Sequence, residues 1–335
     1  MSIAIVGAGA IGGYLGVRLA LAGEAVTVIA RGANRAAIQA DGLRLIEEDG
    51  RELHARTLRC PASLQEAGPH EVVLLTLKAH QVGPIAQDLR HLIGPDTVVV
   101  TMQNGIPWWY FHRHGGELAG TQLQTADPGG LIAAALDPAQ VIGSVVYPAA
   151  VLTAPGVVQV VEGSRFGLGE LSGETSARVQ ALAQRLTRAG FRAPVTSDIR
   201  AELWLKLWGN LSFNPISALT HATLVDICRF PETRALAAAM MREAQDVAGK
   251  LGVRFRVDIE KRIAGAEKVG AHKTSMLQDV EAGRAIELEA LVGSVIELGR
   301  LTGTPTPHID AVYALALLLA RRLGEAGGRL SVQAA

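Results

Sequence analysis

Short, unbroken apolar runs punctuate the first half of the chain and then cease. Ile3 to Val6, Ala25 to Ala30, Glu71 to Leu77 and Thr97 to Met102 are rich in Val and Ile and end at glycine or polar residues. Such runs predict parallel strands covered on both faces. A helix through Ala22 separates the first two, and alternation of strand with helix predicts a doubly wound α/β sheet. From Asp198 onward the apolar spacing becomes helical, over 201–219, 232–251, 257–269 and 276–301, with an interruption at Gly283. The pattern therefore predicts an α/β domain over 1–197 and an all-helical domain over 198–330, joined at Thr196-Ser197-Asp198.

Between the first strand and the first helix stands Gly7-Ala8-Gly9-Ala10-Ile11-Gly12. In that context the three glycines have separate uses: a tight turn, close approach of a pyrophosphate to the backbone, and close helix-to-strand packing. Unpaired amides and the dipole at the helix N-terminus favour the negative charge. The first half thus reads as a Rossmann-type, dinucleotide-binding domain. At the end of the second strand, where an NAD site would carry an acidic residue, stands Arg31. A guanidinium there can donate two hydrogen bonds to a 2′-phosphate, so the expected cofactor is NADP(H). Arg35, one turn on, is placed to help.

The third and fourth runs end at Lys78 and at Gln103-Asn104-Gly105. Open α/β sheets bind ligands at the carboxyl ends of their strands, which makes Lys78 and Asn104 site candidates by position.

The first helix of the second half carries Lys206, Asn210 and Asn214 at four-residue intervals among leucines, tryptophans and a phenylalanine. At 3.6 residues per turn they form one polar stripe on an otherwise apolar helix. A buried ammonium needs a partner, and an unsatisfied buried amide costs about 1–3 kcal/mol. The stripe fits a binding surface; it also fits a lysine paired with Glu202, one turn earlier, and asparagines serving the backbone. Pro215 predicts a kink beside it. Farther on, Ser275 precedes Gln278 by three residues, a capping-box pattern that predicts a helix start. Glu287 and Glu289 differ by about 200° on a helix, so one faces inward and the other faces water.

Composition narrows the partners. With a net charge of +0, the chain has no electrostatic reason to bind nucleic acid or an anionic membrane. The longest late apolar run, Val312 to Ala320, falls short of the ~20 residues of a spanning helix and reads as core-facing. Cys60 and Cys228 are too few for a disulfide scaffold and lack metal-ligand spacing, and the N-terminus lacks a signal peptide, so a cytoplasmic chain is expected. His112 and His114 read as a solvated pair, with no metal. The expected partner is a small molecule, and the apolar second domain leaves room for a homodimer.

In order and spacing, these segments resemble the ketopantoate reductase (2-dehydropantoate 2-reductase) family over essentially the whole chain. The resemblance rests on the glycine turn, Thr76-Leu77-Lys78, Gln103-Asn104-Gly105, the Lys206/Asn210/Asn214 stripe after Ala201-Glu202-Leu203-Trp204, and Thr274-Ser275-Met276-Leu277-Gln278-Asp279 followed by Glu287. It implies a helical domain like the C-terminal domain of 6-phosphogluconate dehydrogenase, and reduction of a 2-keto acid by NADPH in a cleft between the domains. The implied substrate is ketopantoate, reduced to pantoate for pantothenate synthesis. By the same resemblance Lys206 is the general acid, Glu287 its carboxylate partner, and Asn210, Asn214 and Ser275 bind substrate. Asn104 and Lys78 then bridge nicotinamide ribose and substrate, while Gly7, Ala8, Gly9, Ala10, Ile11, Gly12 and Arg31 hold the cofactor. One departure is Trp108-Trp109-Tyr110-Phe111 in a longer segment after Asn104. It reads as a hydrophobic anchor or as a reshaped pocket for a bulkier branched or aromatic keto acid. A non-catalytic NADP(H) sensor is the competing class, disfavoured by the retained proton donor.

Overall fold

The computed structural model describes residues 1–328 and divides the chain into two compact units, Met1–Ile199 and the residues from Arg200 onward. The first is built on β1 (Ser2–Val6), α1 (Ala10–Leu21), β2 (Ala25–Ile29), α2 (Gly32–Asp41), β3 (Leu43–Ile46), β4 (Glu52–Ala55), α3 (Leu64–Ala67) and β5 (His70–Leu75). It continues through α4 (Ala86–Leu89), β6 (Ile93–Thr101), α5 (Leu131–Ala135), β7 (Val141–Val146), β8 (Ala149–Ala154), β9 (Val157–Glu162), β10 (Phe166–Glu170) and α6 (Ala177–Arg188).

Six strands form the main sheet in the order β10-β7-β6-β5-β1-β2. Neighbours from β7 to β2 pair in parallel, and β10 closes the edge antiparallel to β7. After β1 the chain builds outward to β2, then returns to lay β5 on the other side of β1. The order therefore reverses between β1 and β5, and ligands bind at the carboxyl ends of strands flanking such a reversal. The glycine turn follows β1, and Thr76 to Lys78 follow β5. The apolar runs account for the strands: Ile3, Ile5, Val72, Leu74 and Val100 are all buried.

A second sheet, order β4-β3-β9-β8, has no counterpart in the expected architecture. Its strands are short and partly charged; Arg44 and Glu52 are exposed, so no apolar run announces it. It covers the side of α1 away from the main sheet. A β-carbon at Gly13 would stand 2.6 Å from Val158 Cγ2, and one at Gly16 would stand 3.2 Å from Leu43 Cδ1. Lying between two sheets, α1 has apolar residues all round.

The second unit is helical: α7 (Ile199–Thr220), α8 (Leu224–Arg229), α9 (Pro231–Lys250), α10 (Ile259–Val269), α11 (Ser275–Glu281), α12 (Ser294–Thr302) and α13 (Pro307–Glu325). Trp204, Leu207, Trp208 and Leu211 of α7 are buried, and the Trp208 indole N–H donates to the Met241 carbonyl of α9 at 2.6 Å. α7 carries Pro215 inside it and runs on to Thr220, in keeping with the helix expected over 201–219. One expectation needs correction: α13 is less core-facing than its run of leucines implies, burying Ile309, Val312, Ala316 and Leu323 but leaving Leu315, Leu317 and Leu318 exposed. Between α11 and α12 the predicted break occurs at Gly283, whose φ of 65° favours glycine. Beyond it, Glu289–Gly293 form a π-turn that leads into α12. No described helix is long and apolar enough to cross a membrane.

Candidate active site

In the first unit the glycine turn is held from three directions. The amides of Gly7 and Ala8 donate to the Ile29 carbonyl at 3.1 and 3.3 Å, fixing the turn to the end of β2. The Thr76 hydroxyl lies 3.0 Å from the Val6 carbonyl and 2.7 Å from that of Gly7, fixing it to the end of β5. Asn34 of α2 donates its side-chain amide to the Ala8 carbonyl at 2.6 Å and accepts from the Gly156 amide, at the β8–β9 hairpin, at 2.7 Å. Thr76 stands in the Thr76-Leu77-Lys78 motif without a role of its own in the sequence, and Asn34 has no sequence signal at all. An asparagine on a helix gives no local sign of its distant partners.

The three glycines do different work. Gly7 has a φ of 106°, and a β-carbon there would stand 2.8 Å from Leu77 Cδ2. A β-carbon on Gly12 would collide with the Gly7 carbonyl and approach Thr76 Oγ1 to 2.6 Å, so the third glycine allows α1 to close on the turn. A β-carbon on Gly9 would meet no protein atom within 4 Å. Gly9 is also the N-cap of α1, and no side chain caps it. An uncapped helix N-terminus beneath open space fits the pyrophosphate of a dinucleotide.

Arg31 occupies the N-cap position of α2 and is exposed. Arg35, one turn farther, is half-buried and its Nε has no hydrogen-bond partner. These cations follow β2, where a dinucleotide site reads the ribose. Lys78 and Asn104 are half-buried just beyond the ends of β5 and β6. Gln103 joins those ends, donating its amide to the Leu75 carbonyl at 2.7 Å and to that of Leu77 at 3.2 Å.

The aromatic cluster after Asn104 is largely interior. Trp109, Tyr110 and Phe111 are buried, and the Trp109 indole N–H donates to Thr101 Oγ1 at the end of β6, 2.8 Å away. Trp109 also fills the space above Gly143, where a β-carbon would come within 2.9 Å of its ring. This burial fits the anchor of the two readings. His114 packs on it, 5.1 Å from Phe111 between ring centroids, and both histidines of the pair are half-buried.

In the second unit the polar stripe is brought together with two segments distant in sequence. Asn214 is buried on α7 with its amide nitrogen 3.5 Å from the Ser275 hydroxyl. Ser275 is the first residue of α11 rather than its cap. Thr274 is the N-cap and accepts from the Leu277 amide at 3.3 Å, which leaves the Ser275 hydroxyl exposed beside Asn214. Asn210 is half-buried one turn before Asn214.

Lys206 is half-buried over its whole side chain, yet its ammonium lies deep enough that burial lowers its pKa to about 8. The charge of Glu287 acts in the opposite sense and raises it. Of the two glutamates, Glu287 is half-buried and bears on Lys206, whereas Glu289 is exposed and accepts from the Tyr313 hydroxyl at 2.7 Å. Among the described residues no cluster of three His, Cys, Asp or Glu side chains could hold a metal ion.

A glycine-turn sheet that fits a dinucleotide, and a helical unit bearing a lysine of lowered pKa with a carboxylate acting on it, define a nicotinamide-dependent oxidoreductase. The family described as "Ketopantoate reductase PanE/ApbA" matches residues 3–173, and its C-terminal domain family matches 198–320. A 2-dehydropantoate 2-reductase of Mesorhizobium japonicum is 56% identical over 325 residues, covering 97% of this chain and 99% of the relative. A structure from Ralstonia solanacearum MolK2, solved as a candidate ketopantoate reductase, is 42% identical with a TM-score of 0.92, covering 96% of this chain and 98% of that one. D-mandelate dehydrogenase, solved with NADH and anilino(oxo)acetate, shares the fold at 24% identity and a TM-score of 0.82, over 97% of this chain and all of that one. The chain belongs to the ketopantoate reductase family, oxidoreductases acting on CH–OH donors.

Proposed function

We propose that this oxidoreductase reduces a 2-keto acid with NADPH, the substrate being 2-dehydropantoate and the product pantoate, a step of pantothenate synthesis in the cytoplasm. The observation that carries the reading is Lys206, a lysine with its pKa near 8 on the polar stripe of α7, opposed by the charge of Glu287. Identity of 56% to a 2-dehydropantoate 2-reductase supports the choice of keto acid. In this reading residues 1–197 hold the cofactor and 198–330 the keto acid.

When bound at the glycine turn, NADPH would supply the hydride for the keto carbon. Negative charge then develops on the keto oxygen, and Lys206 donates a proton to it; a positioned acid of this kind is worth about 10²–10⁴ in rate. A pKa near 8 keeps the ammonium protonated at neutral pH yet makes it a readier donor than an exposed lysine. Glu287 keeps Lys206 charged until transfer and accepts a substrate hydroxyl. Asn210, Asn214 and Ser275 orient the substrate's carboxylate and hydroxyl. The uncapped amides at Gly9 to Gly12 bind pyrophosphate, Arg31 and Arg35 bind the 2′-phosphate, and Lys78 and Asn104 orient the nicotinamide ribose and the keto group. The fold houses NADH in D-mandelate dehydrogenase, so the preference for NADPH lies in side chains such as Arg31.

The test is NADPH oxidation with 2-dehydropantoate and a panel of branched and aromatic 2-keto acids. Highest kcat/KM with 2-dehydropantoate is expected. A preference for a larger keto acid overturns the substrate, and no oxidation with any of them leaves a nucleotide sensor.

A further inference from the structure

The segment that delivers Glu287 contains a helix defect held by tertiary contacts. Arg284 closes the loop after α11, its amide donating to the Asp279 carbonyl at 2.8 Å and its Nε to the Asp279 carboxylate at 2.9 Å. Glu287 ends the non-helical run 284–287, its carbonyl accepting from the Leu291 amide at 3.3 Å. One residue later, beyond Leu288, the backbone enters the π-turn Glu289–Gly293, which leads directly into α12. A π-turn carries one extra residue, so it rotates the side chains on either side by about 100° relative to a continuous α-helix. Without it, the chain at Glu287, which enters the turn through Leu288, would meet α12 from a different direction.

π-turns have little local preference and occur mostly as single turns near functional sites, so something must hold this one. The Tyr313 hydroxyl donates to Glu289 at 2.7 Å. Gly293 makes room for that carboxylate: a β-carbon there would collide with Glu289 Oε2 and stand 3.4 Å from Tyr313 Cε2. From the first residue of α12, the Ser294 hydroxyl reaches back into the turn and donates to the Ala290 carbonyl at 2.7 Å. Tyr313 is itself well anchored, because the buried Glu243 of α9 binds the N-terminus of α13. It accepts from the His308 amide at 2.9 Å and the Ile309 amide at 3.0 Å, and its Oε1 lies 2.6 Å from His308 Nδ1. Burial and Glu289 push the Tyr313 hydroxyl up to about 12, against the opposing charge of Arg300, so it remains a donor throughout the neutral range.

We propose that Tyr313, Glu289 and Gly293 are positioning residues that hold the π-turn and so set where the Glu287 carboxylate stands relative to Lys206. This rests on the roles given above to Lys206 and Glu287. The three touch no substrate; they act through the backbone.

The experiment is the pH profile of kcat for Tyr313→Phe, Glu289→Gln and Gly293→Ala, with Glu287→Gln as reference and thermal melts to confirm folding. Loss of the Glu287 charge lets the Lys206 pKa fall, so Glu287→Gln moves the alkaline fall of kcat to lower pH by about one unit. Tyr313→Phe and Gly293→Ala are expected to move it the same way by a smaller amount. They also lower kcat roughly ten- to a hundredfold, as expected for a displaced site group, with the KM for NADPH unchanged. Glu289→Gln keeps an acceptor for Tyr313 and retains the wild-type profile. Should Glu287→Gln shift the profile while Tyr313→Phe, folded, keeps the wild-type curve, the positioning role is overturned. An unmoved profile in Glu287→Gln overturns the Lys206–Glu287 reading itself, and the positioning proposal with it.

Discussion

Glu287 opposes the effect of burial on Lys206, and the two together leave its pKa lowered to about 8. As a general acid Lys206 must be protonated, so kcat for keto-acid reduction is expected to be level near neutrality and to fall about tenfold per unit above pH 8. Lys206→Ala should lower kcat by about 10² or more while leaving the dissociation constant of NADPH within about twofold. Steady-state profiles and fluorescence titration check both. Equal losses in turnover and nucleotide binding would make Lys206 structural.

The lowered pKa also has a consequence for stability. A lysine whose folded pKa lies below its ordinary 10.5 binds fewer protons when folded than when unfolded between those values. Its contribution therefore makes the protein more stable as pH rises from about 8 toward 10.5, and opposes folding below that window. Lys206→Met should flatten this segment of a plot of melting temperature against pH, read by calorimetry.

Gly9 and Gly12 should fail in different ways. No protein atom lies near a β-carbon at Gly9, so Gly9→Val is expected to leave the melting temperature of the nucleotide-free protein unchanged and to abolish measurable NADPH binding. At Gly12 the obstacle is the Gly7 backbone, so Gly12→Ala should destabilise the fold by about 1–3 kcal/mol as well as weaken binding. Melts with and without nucleotide separate the two.

Arg31→Ala removes a guanidinium from the N-cap position of α2. A charge-assisted bond to phosphate is worth about 1.5–3 kcal/mol, so NADPH affinity should fall about ten- to a hundredfold. NADH, which lacks the phosphate, should change less than about threefold. An unaltered ratio would remove Arg31 from 2′-phosphate recognition.

Trp109→Phe deletes the indole bond to Thr101 and part of the filling above Gly143. A loss of about 1–3 kcal/mol in denaturant unfolding is expected, with the KM for the keto acid unchanged. A large change in KM at full stability would restore a pocket-shaping role to the cluster.

The legible parts of the fold were those where burial leaves a period. Ile3 to Val6 and Val72 to Leu75 are buried on both faces and read as continuous apolar runs; α7 showed its polar stripe because tryptophans and leucines surround it. The second sheet stayed hidden because β3 and β4 have four residues each and mix buried leucines with exposed charges. The start of α11 was misplaced by one residue because Thr274 and Ser275 are both competent caps, and tertiary packing decides between them. The π-turn was beyond reach for a different reason: it depends on Tyr313, two dozen residues away, and no local spacing records that bond. Charge and position marked Lys78, Asn104 and Arg31 as site candidates, whereas the Asn34 side chain and the Thr76 hydroxyl hold backbone, which no local pattern records.

Asn34 joins the Ala8 carbonyl to the Gly156 amide, segments separated by nearly half the chain. The glycine turn is consequently not a portable module of the first forty residues. A chimera that imports β1 to α2 from a relative must import the β8–β9 hairpin too, or the graft will carry a loop whose outer strut is missing.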